Sequence, residues 1–330
     1  MMRRFYINSN GRIKRKENSI TFEFEEGSEI KKRDIPINDI DSIHIFSEVD
    51  INTKALNLIS QYDITIHVYN YYNFYSGSYV PRKKNVSGIL LIDQVKYHID
   101  PESRHYLAVS FIEGAIFHII RNLRKNSLPT EDIEDLEKNL EKIFTTKTTE
   151  ELMAIEGNTR KKYYQLFNKI IKNNDFFFNK RGKNPPIDPI NALISFGNSL
   201  MYNSVLSEIY RTQLDPTISY LHAPQEKRFS LCLDLAEIFK PLIIDPIIFS
   251  LINKKMINKS DFDIDLDYAY LNEEGRKKFL KAYEEKMEET IKHRKLNRNV
   301  SYKYLIRLEC YKLIKHFITD EVYKPFKAWW

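Results

Sequence analysis

The sequence predicts an α+β protein: a small β-sandwich-like N-terminal domain over residues 1–90, a linker over 91–100, and a larger all-α domain over 101–330. Three observations carry this. Apolar and polar residues alternate in the first ~90 positions, whereas after Asp100 the apolar residues recur at helical spacing. The third is composition. With 42% hydrophobic residues, including 20 Phe and 21 Tyr, a chain of 330 residues can fill a substantial core across two domains. Its 29% charged fraction is ordinary for a folded soluble chain and excludes global disorder.

Residues 4–7 and 19–24 read as the strands of a hairpin, and residues 42–46 and 64–69 alternate with period two. Between the latter two, residues 53–60 form a short helical stretch with Ala55, Leu56 and Ile59 on one side. A turn-rich tract over 70–77 leads to Ser78-Tyr79-Val80, and the basic Pro81-Arg82-Lys83-Lys84 marks the end of the small domain. Asp100 then suits a helix cap, Pro101 its first position and Glu102 its positive end. Leu107, Ala108, Phe111, Ile112, Ala115, Ile116 and Ile119 follow at helical spacing. Further helices are predicted over 131–144, 149–171, 191–209, 229–252 and 273–293.

Cys232 and Cys310 lie among apolar neighbours and offer neither a disulfide framework nor a paired metal knuckle, which fits a reducing cytoplasm. No apolar signal core follows Arg3 and Arg4, and the richest apolar run, 242–251, is interrupted by Asp245 and Pro246. No membrane association is expected. The net charge of +6 is unevenly placed. Lys292, Arg294, Lys295, Arg298, Lys303, Arg307, Lys312 and Lys315 stand against a single acid, Glu309, giving that segment +7 by itself. Tyr302, Tyr304 and Tyr311 are interleaved with these cations, a pattern that suits a phosphate backbone. A solvated helical face with its aromatics turned inward is the equally weighted alternative.

Three places are chemically anomalous. Helical phase puts Glu156 on the apolar face formed by Leu152, Ile155, Tyr163, Leu166, Phe167 and Ile170, where a carboxylate must be ion-paired or metal-bound. Gly157, directly after it, permits close approach of a partner. Asp234 and Glu237 are spaced i, i+3 between apolar flanks, so they repel unless a cation or a proton intervenes. His222 precedes Pro224 in a predicted loop, from which its imidazole can reach that helix, although a lone loop histidine is more often structural. Carboxylates plus one imidazole would suit Mn²⁺ or Mg²⁺, the histidine tilting the choice towards Mn²⁺.

In their local contexts these segments resemble the CRISPR-associated spacer-acquisition integrases, the Cas-one metal nucleases. Leu152-Met153-Ala154-Ile155-Glu156-Gly157, followed by Tyr163-Tyr164, is similar to the family's Glu-Gly motif. Residues 185–198, PPIDPINALISFGN, resemble its PPxDPxNAxLS segment. Leu214-Asp215-Pro216 followed by Leu221-His222 resembles its histidine motif, and residues 230–241, SLCLDLAEIFKP, its SLxLDLAExF(K/R)P motif. The order, with 66 residues from Glu156 to His222 and 15 more to Glu237, is the family's. The tail carrying Tyr302, Lys303, Tyr304 and Arg307 is similar to its C-terminal helix. Lys240 replaces the Arg of many members, which keeps the charge but loses a bidentate fork, and the wording is most like the type I-B branch.

This resemblance implies that the helical domain is catalytic and that Glu156, His222 and Glu237 hold the metal, with Asp234 a further ligand or an acid behind one. It implies an endonuclease and integrase: a 3′-hydroxyl of a captured DNA fragment attacks a phosphodiester at the repeat–leader end of a CRISPR array. It also implies a homodimer joined through the β domain, and two such dimers flanking a Cas-two dimer in a hetero-hexamer. Arg294, Lys295, Arg298, Lys303, Arg307 and Lys240 are the candidate DNA contacts. Whether Tyr163, Tyr164 or Tyr202 touches DNA or only packs is left open. The alternatives are a branched-DNA repair nuclease or transposon-type integrase with the same metal site, and a non-catalytic helical DNA-binding scaffold.

Overall fold

The computed structural model describes residues 3–27, 29–82, 86–182, 185–226, 228–265 and 268–330, with Arg3 and Asp265 described by backbone alone. Of the basic cluster expected to close the small domain, Lys83 and Lys84 lie outside the described residues. The chain forms two compact units, 1–84 and 85–330.

The first unit contains β1 (Arg3–Ile7), β2 (Gly11–Lys16), β3 (Ser19–Glu26), β4 (Glu29–Pro36), β5 (Ile40–Ile45), β6 (Val49–Ile51), α1 (Thr53–Gln61), β7 (Thr65–Tyr69) and β8 (Tyr75–Tyr79). Two four-stranded sheets result, ordered β1-β5-β7-β8 and β4-β3-β2-β6. Ile7, Ile13, Ile20, Ile43, Ile66 and, from α1, Leu58 and Ile59 meet in one core between them, the sandwich-like arrangement that period-two alternation predicts. The expected hairpin is corrected. Residues 19–26 pair with β2, not β1, while β1 runs parallel to β5 in the other sheet. Asn52 caps α1 by accepting from Ala55 N at 2.9 Å.

The second unit contains α2 (Gly88–Ile99), α3 (Pro101–Lys125), α4 (Thr130–Lys142), α5 (Thr149–Gln165), α6 (Phe167–Ile170), α7 (Pro189–Tyr210), α8 (Ser230–Phe239), α9 (Asp245–Asn253), α10 (Glu273–Glu288) and α11 (Tyr302–Ile318). It also holds two short hairpins, β9 (Phe262–Asp265) with β10 (Tyr268–Leu271) and β11 (Thr290–His293) with β12 (Arg298–Ser301). It is therefore mainly helical, not purely so. Residues 91–100, expected as a linker, belong to α2, whose Leu90 and Gln94 are buried. Asp100 caps α3 as expected, accepting from Ser103 N at 2.8 Å. α3 is long and apolar enough to cross a membrane, but 72% of its most apolar stretch is buried within the protein, as in a core helix.

Three predicted helices are subdivided. Residues 149–171 break at Leu166. Residues 229–252 form α8 and α9 joined by a π-turn, Lys240–Ile244, where Pro241 has no N–H to continue the α ladder. Residues 273–293 end as helix at Glu288 and continue as β11. α3 and α7 both pack on α8, so the segment bearing Asp234 and Glu237 lies at the centre of the unit. Gly197 makes this packing possible, because a Cβ there would lie 2.5 Å from Cγ2 of Ile244 in the π-turn. α7 starts sharply: Asp188 accepts from Asn191 N at 2.8 Å, with Pro189 at the first helical position.

Candidate active site

Asp234 is fully buried in α8 and accepts four hydrogen bonds. Oδ2 takes the backbone N–H groups of Tyr220 at 2.7 Å and Leu221 at 3.0 Å. Oδ1 takes the backbone N–H of His222 at 3.1 Å and pairs with its Nδ1 at 2.7 Å. Ser219 Oγ closes the loop by donating to the His222 carbonyl at 2.6 Å. With Nδ1 donating to the carboxylate, Nε2 is the imidazole nitrogen that remains for a ligand. Asp234, expected among the catalytic residues, is therefore a positioning residue. Its lone pairs are used by the 220–222 backbone and Nδ1 of His222. Nor does it share a cation with Glu237, because each carboxylate has its own donors.

Glu237 is buried one turn further along α8. Its Oε1 accepts from Lys240 Nζ at 2.7 Å, and its Oε2 pairs with Nη2 of Arg160. Nε of the same guanidinium pairs with Oε1 of Glu156, one turn earlier on α5. Arg160 thus joins the two glutamates. Burial disfavours its charge, but Glu156, Tyr164 and Asp245 together outweigh that and hold it above the usual arginine value. The Glu156 side chain is 17% exposed, at the rim of the apolar face instead of within it. Among the described residues, nothing beyond the adjoining residues and the helix's own backbone comes within 4 Å of a Cβ built at Gly157, so the expected close approach is not seen among them.

Behind this row lies a second layer. Lys240 Nζ donates to Tyr202 Oη at 2.6 Å and sits 4.5 Å from the centre of its ring. Asp245, at the start of α9, is pushed up to about 7 by burial, against the opposing pull of Arg160 and of a hydrogen bond from Tyr163. Asn122 Nδ2 donates to Tyr163 Oη at 3.1 Å, and Tyr163 and Tyr164 are buried against Phe167. These two tyrosines pack. Sequence reasoning missed Arg160 and Asp245. An i, i+4 Glu–Arg pair was visible but is usually a surface pair, and Asp245 registered only as an interruption of an apolar run.

The donor types suit Mn²⁺ or Mg²⁺. Glu156 and Glu237 already converge on one positive charge, the Arg160 guanidinium, which stands in for a shared cation. Among the described residues, however, no three His, Cys, Asp or Glu side chains come close enough to cage an ion.

Residues 5–285 match the family model described as CRISPR associated protein Cas1. The chain belongs to the Cas1 family. It is 61% identical over 333 residues, covering all of both chains, to the CRISPR-associated endonuclease Cas1 of Clostridium perfringens. Among solved structures, it resembles a CAS1 protein from Thermotoga maritima with a TM-score of 0.89 and 37% identity, covering 98% of this chain and 100% of that one. A casposase bound to integration product shares the fold, with a TM-score of 0.88 at 20% identity over 99% of this chain and 94% of that one.

In this Cas1 chain the expected basic stripe divides. Arg294, Lys295 and Arg298 are exposed around the β11–β12 turn, with Arg294 over Trp329 and Arg298 over Tyr304. Lys303 is half-buried in α11. Arg307, also in α11, is committed to the fully buried Glu208 at 2.6 Å, and Lys240 is buried against Glu237. These last two neutralise internal acids and are withdrawn from the list of DNA contacts. A cleft of about 420 Å³ adds cations that sequence reasoning missed. Arg121, Lys125, Lys254 and Lys286 line it, with no acidic side chain among its described lining residues.

Proposed function

We propose that this chain is a DNA endonuclease and integrase that inserts captured fragments into a CRISPR array. The observation supporting this most directly is the convergence of Glu156 and Glu237 on one cation position, in a chain whose His222 is held by Asp234 with Nε2 left over. In the proposed reaction the 3′-hydroxyl of the fragment gives up its proton to solvent as its oxygen bonds to an array phosphorus, while the existing P–O bond breaks and its electron pair leaves on the displaced strand's oxygen, which takes up a proton in turn. Water in place of the 3′-hydroxyl makes the same step a nuclease cut. Mn²⁺ or Mg²⁺, held by Glu156, His222 and Glu237, would supply charge stabilisation to the phosphoryl oxygens. The chain's own contribution is positional. Asp234 fixes the tautomer and direction of His222, and Lys240, clamped by Tyr202, compensates Glu237.

Family membership supports the further reading of a cytoplasmic homodimer joined through the β unit. Two dimers would flank a Cas-two dimer and act on a protospacer fragment and the repeat–leader junction. Lys240 in the place of arginine favours the type I-B branch. The test is strand transfer of a labelled fragment into a repeat–leader target in Mn²⁺. Glu156→Ala and His222→Ala are expected to abolish it while retaining DNA binding. Wild-type integration by either variant overturns the site assignment.

A further inference from the structure

We propose that Arg160 is a built-in counter-cation of this site: it holds Glu156 and Glu237 together and must swing away before a divalent ion can take both. The inference rests on reading those glutamates as ligands. Arg160 engages Oε1 of Glu156 and Oε2 of Glu237, oxygens that an ion shared by the two carboxylates would need. The pairs are shielded, with side-chain exposures of 17% for Arg160 and Glu156 and 7% for Glu237. In such surroundings unpaired carboxylates repel strongly. Two glutamates against Arg160 and Lys240 make this group of four electrically balanced. A divalent ion added beside Arg160 would give these four groups and the ion an excess of two positive charges, and departure of the guanidinium halves that excess.

Gly157 provides the exit. It precedes Arg160 by three positions on α5, so the two share a helical face. Among the described residues, a Cβ at Gly157 would meet nothing within 4 Å beyond its own stretch of helix, so the surface next to Arg160 is open to them. The long arginine side chain can lie there with its charge in water and its stem along the helix. A bulky residue at Gly157 would fill that space while leaving the inward position of Arg160 intact. The glycine after Glu156 thereby gains a role distinct from the close approach expected of it.

The test is Mn²⁺ affinity of the full-length protein without DNA, read from the electron paramagnetic resonance signal of free Mn²⁺. Arg160→Gln is expected to tighten binding by at least ~10-fold, since a buried competing charge is removed. Gly157→Leu should weaken binding in the wild-type background but not together with Arg160→Gln. Arg160→Lys, which can pair with only one carboxylate at a time, should fall between and covers the case in which the glutamine variant does not fold. Unchanged or weaker binding in the folded Arg160 variant overturns the proposal, as does an equal Gly157→Leu effect in both backgrounds. Failure of the ligand reading is seen separately. His222→Ala and Glu156→Gln would then leave Mn²⁺ affinity untouched, whereas a loss in those variants without tightening at Arg160 sinks only the counter-cation.

Discussion

At the scale of single residues, the site is governed by which buried charge has which partner. Asp234 serves three backbone N–H groups and one imidazole, so Asp234→Asn presents an amide N–H₂ to donors. We expect a loss of about 3 kcal/mol, the scale of a buried charged hydrogen-bond network opened on one side. The imidazole should also lose its fixed tautomer, which ¹⁵N chemical shifts of His222 report. A small stability change with the tautomer retained would contradict this account. Asp245 gives a signed pH effect. Its carboxyl titrates at about 7 in the folded chain against an ordinary 3.8, so the folded state binds the extra proton between those values. Stability from this group is fully present below pH ~4 and is lost as pH rises to ~7. Asp245→Asn should therefore gain on wild type by at most about 4 kcal/mol over that interval, measured by urea denaturation at each pH. An advantage that shrinks with rising pH would reverse the assignment.

At the scale of elements, the β11–β12 hairpin and α11 divide between them what composition suggested was one stripe. The turn cations Arg294, Lys295 and Arg298 are exposed, so neutralising all three should flatten the salt dependence of DNA affinity by roughly 0.9 per lost phosphate contact. Arg307→Ala should act differently. It leaves the fully buried Glu208 with the longer contact to Arg211 Nε, at 3.9 Å, and should cost about 3 kcal/mol of stability with little change in slope. If Arg307→Ala lowers the slope and leaves stability alone, the residue faces DNA after all. Packing of α7 on the π-turn depends on Gly197, and Gly197→Ala should destabilise by about 1–3 kcal/mol, since its Cβ would meet Ile244 and Phe279. Denaturant midpoints of the purified variant check that value.

At the scale of the whole molecule, each compact unit carries a buried neutral histidine. His67 in the first and His118 in the second are both lowered to about 3, chiefly by burial. His118 accepts from Ala328 N at Nε2, 3.1 Å away, and therefore donates from Nδ1 to the Ile238 carbonyl at 2.9 Å. It links the tail to the residue after Glu237. Depressed histidines contribute stability that is present above their ordinary value of 6.5 and is lost as pH falls towards 3, opposite in sign to Asp245. The acid limb of a thermal-stability profile should thus fall below pH ~6.5, and His118→Gln should flatten the part belonging to the second unit. No flattening in a folded variant would mean that His118 is not the group responsible.

The N-terminal sandwich and the helices were readable in the sequence because alternation and helical spacing are local properties, set by which face of an element must be buried. Glu156 and Glu237 drew attention in the sequence because acids among apolar neighbours violate that pattern, and His222 joined them through an order that resembles a family's. The partner of each charge was not readable. Glu156 and Glu237 lie 81 positions apart, and only the packed α5 and α8 bring both to Arg160. The same holds for Asp234, placed three residues before Glu237. Spacing suggested a shared cation, whereas the fold turns Asp234 to the His222 loop and Glu237 to Arg160 and Lys240. Sequence by itself determined which side chains need compensation, since the penalty for burying a charge follows from residue type and local pattern. Tertiary structure alone decided what compensates them, since those contacts depend on distances between segments that no local period encodes.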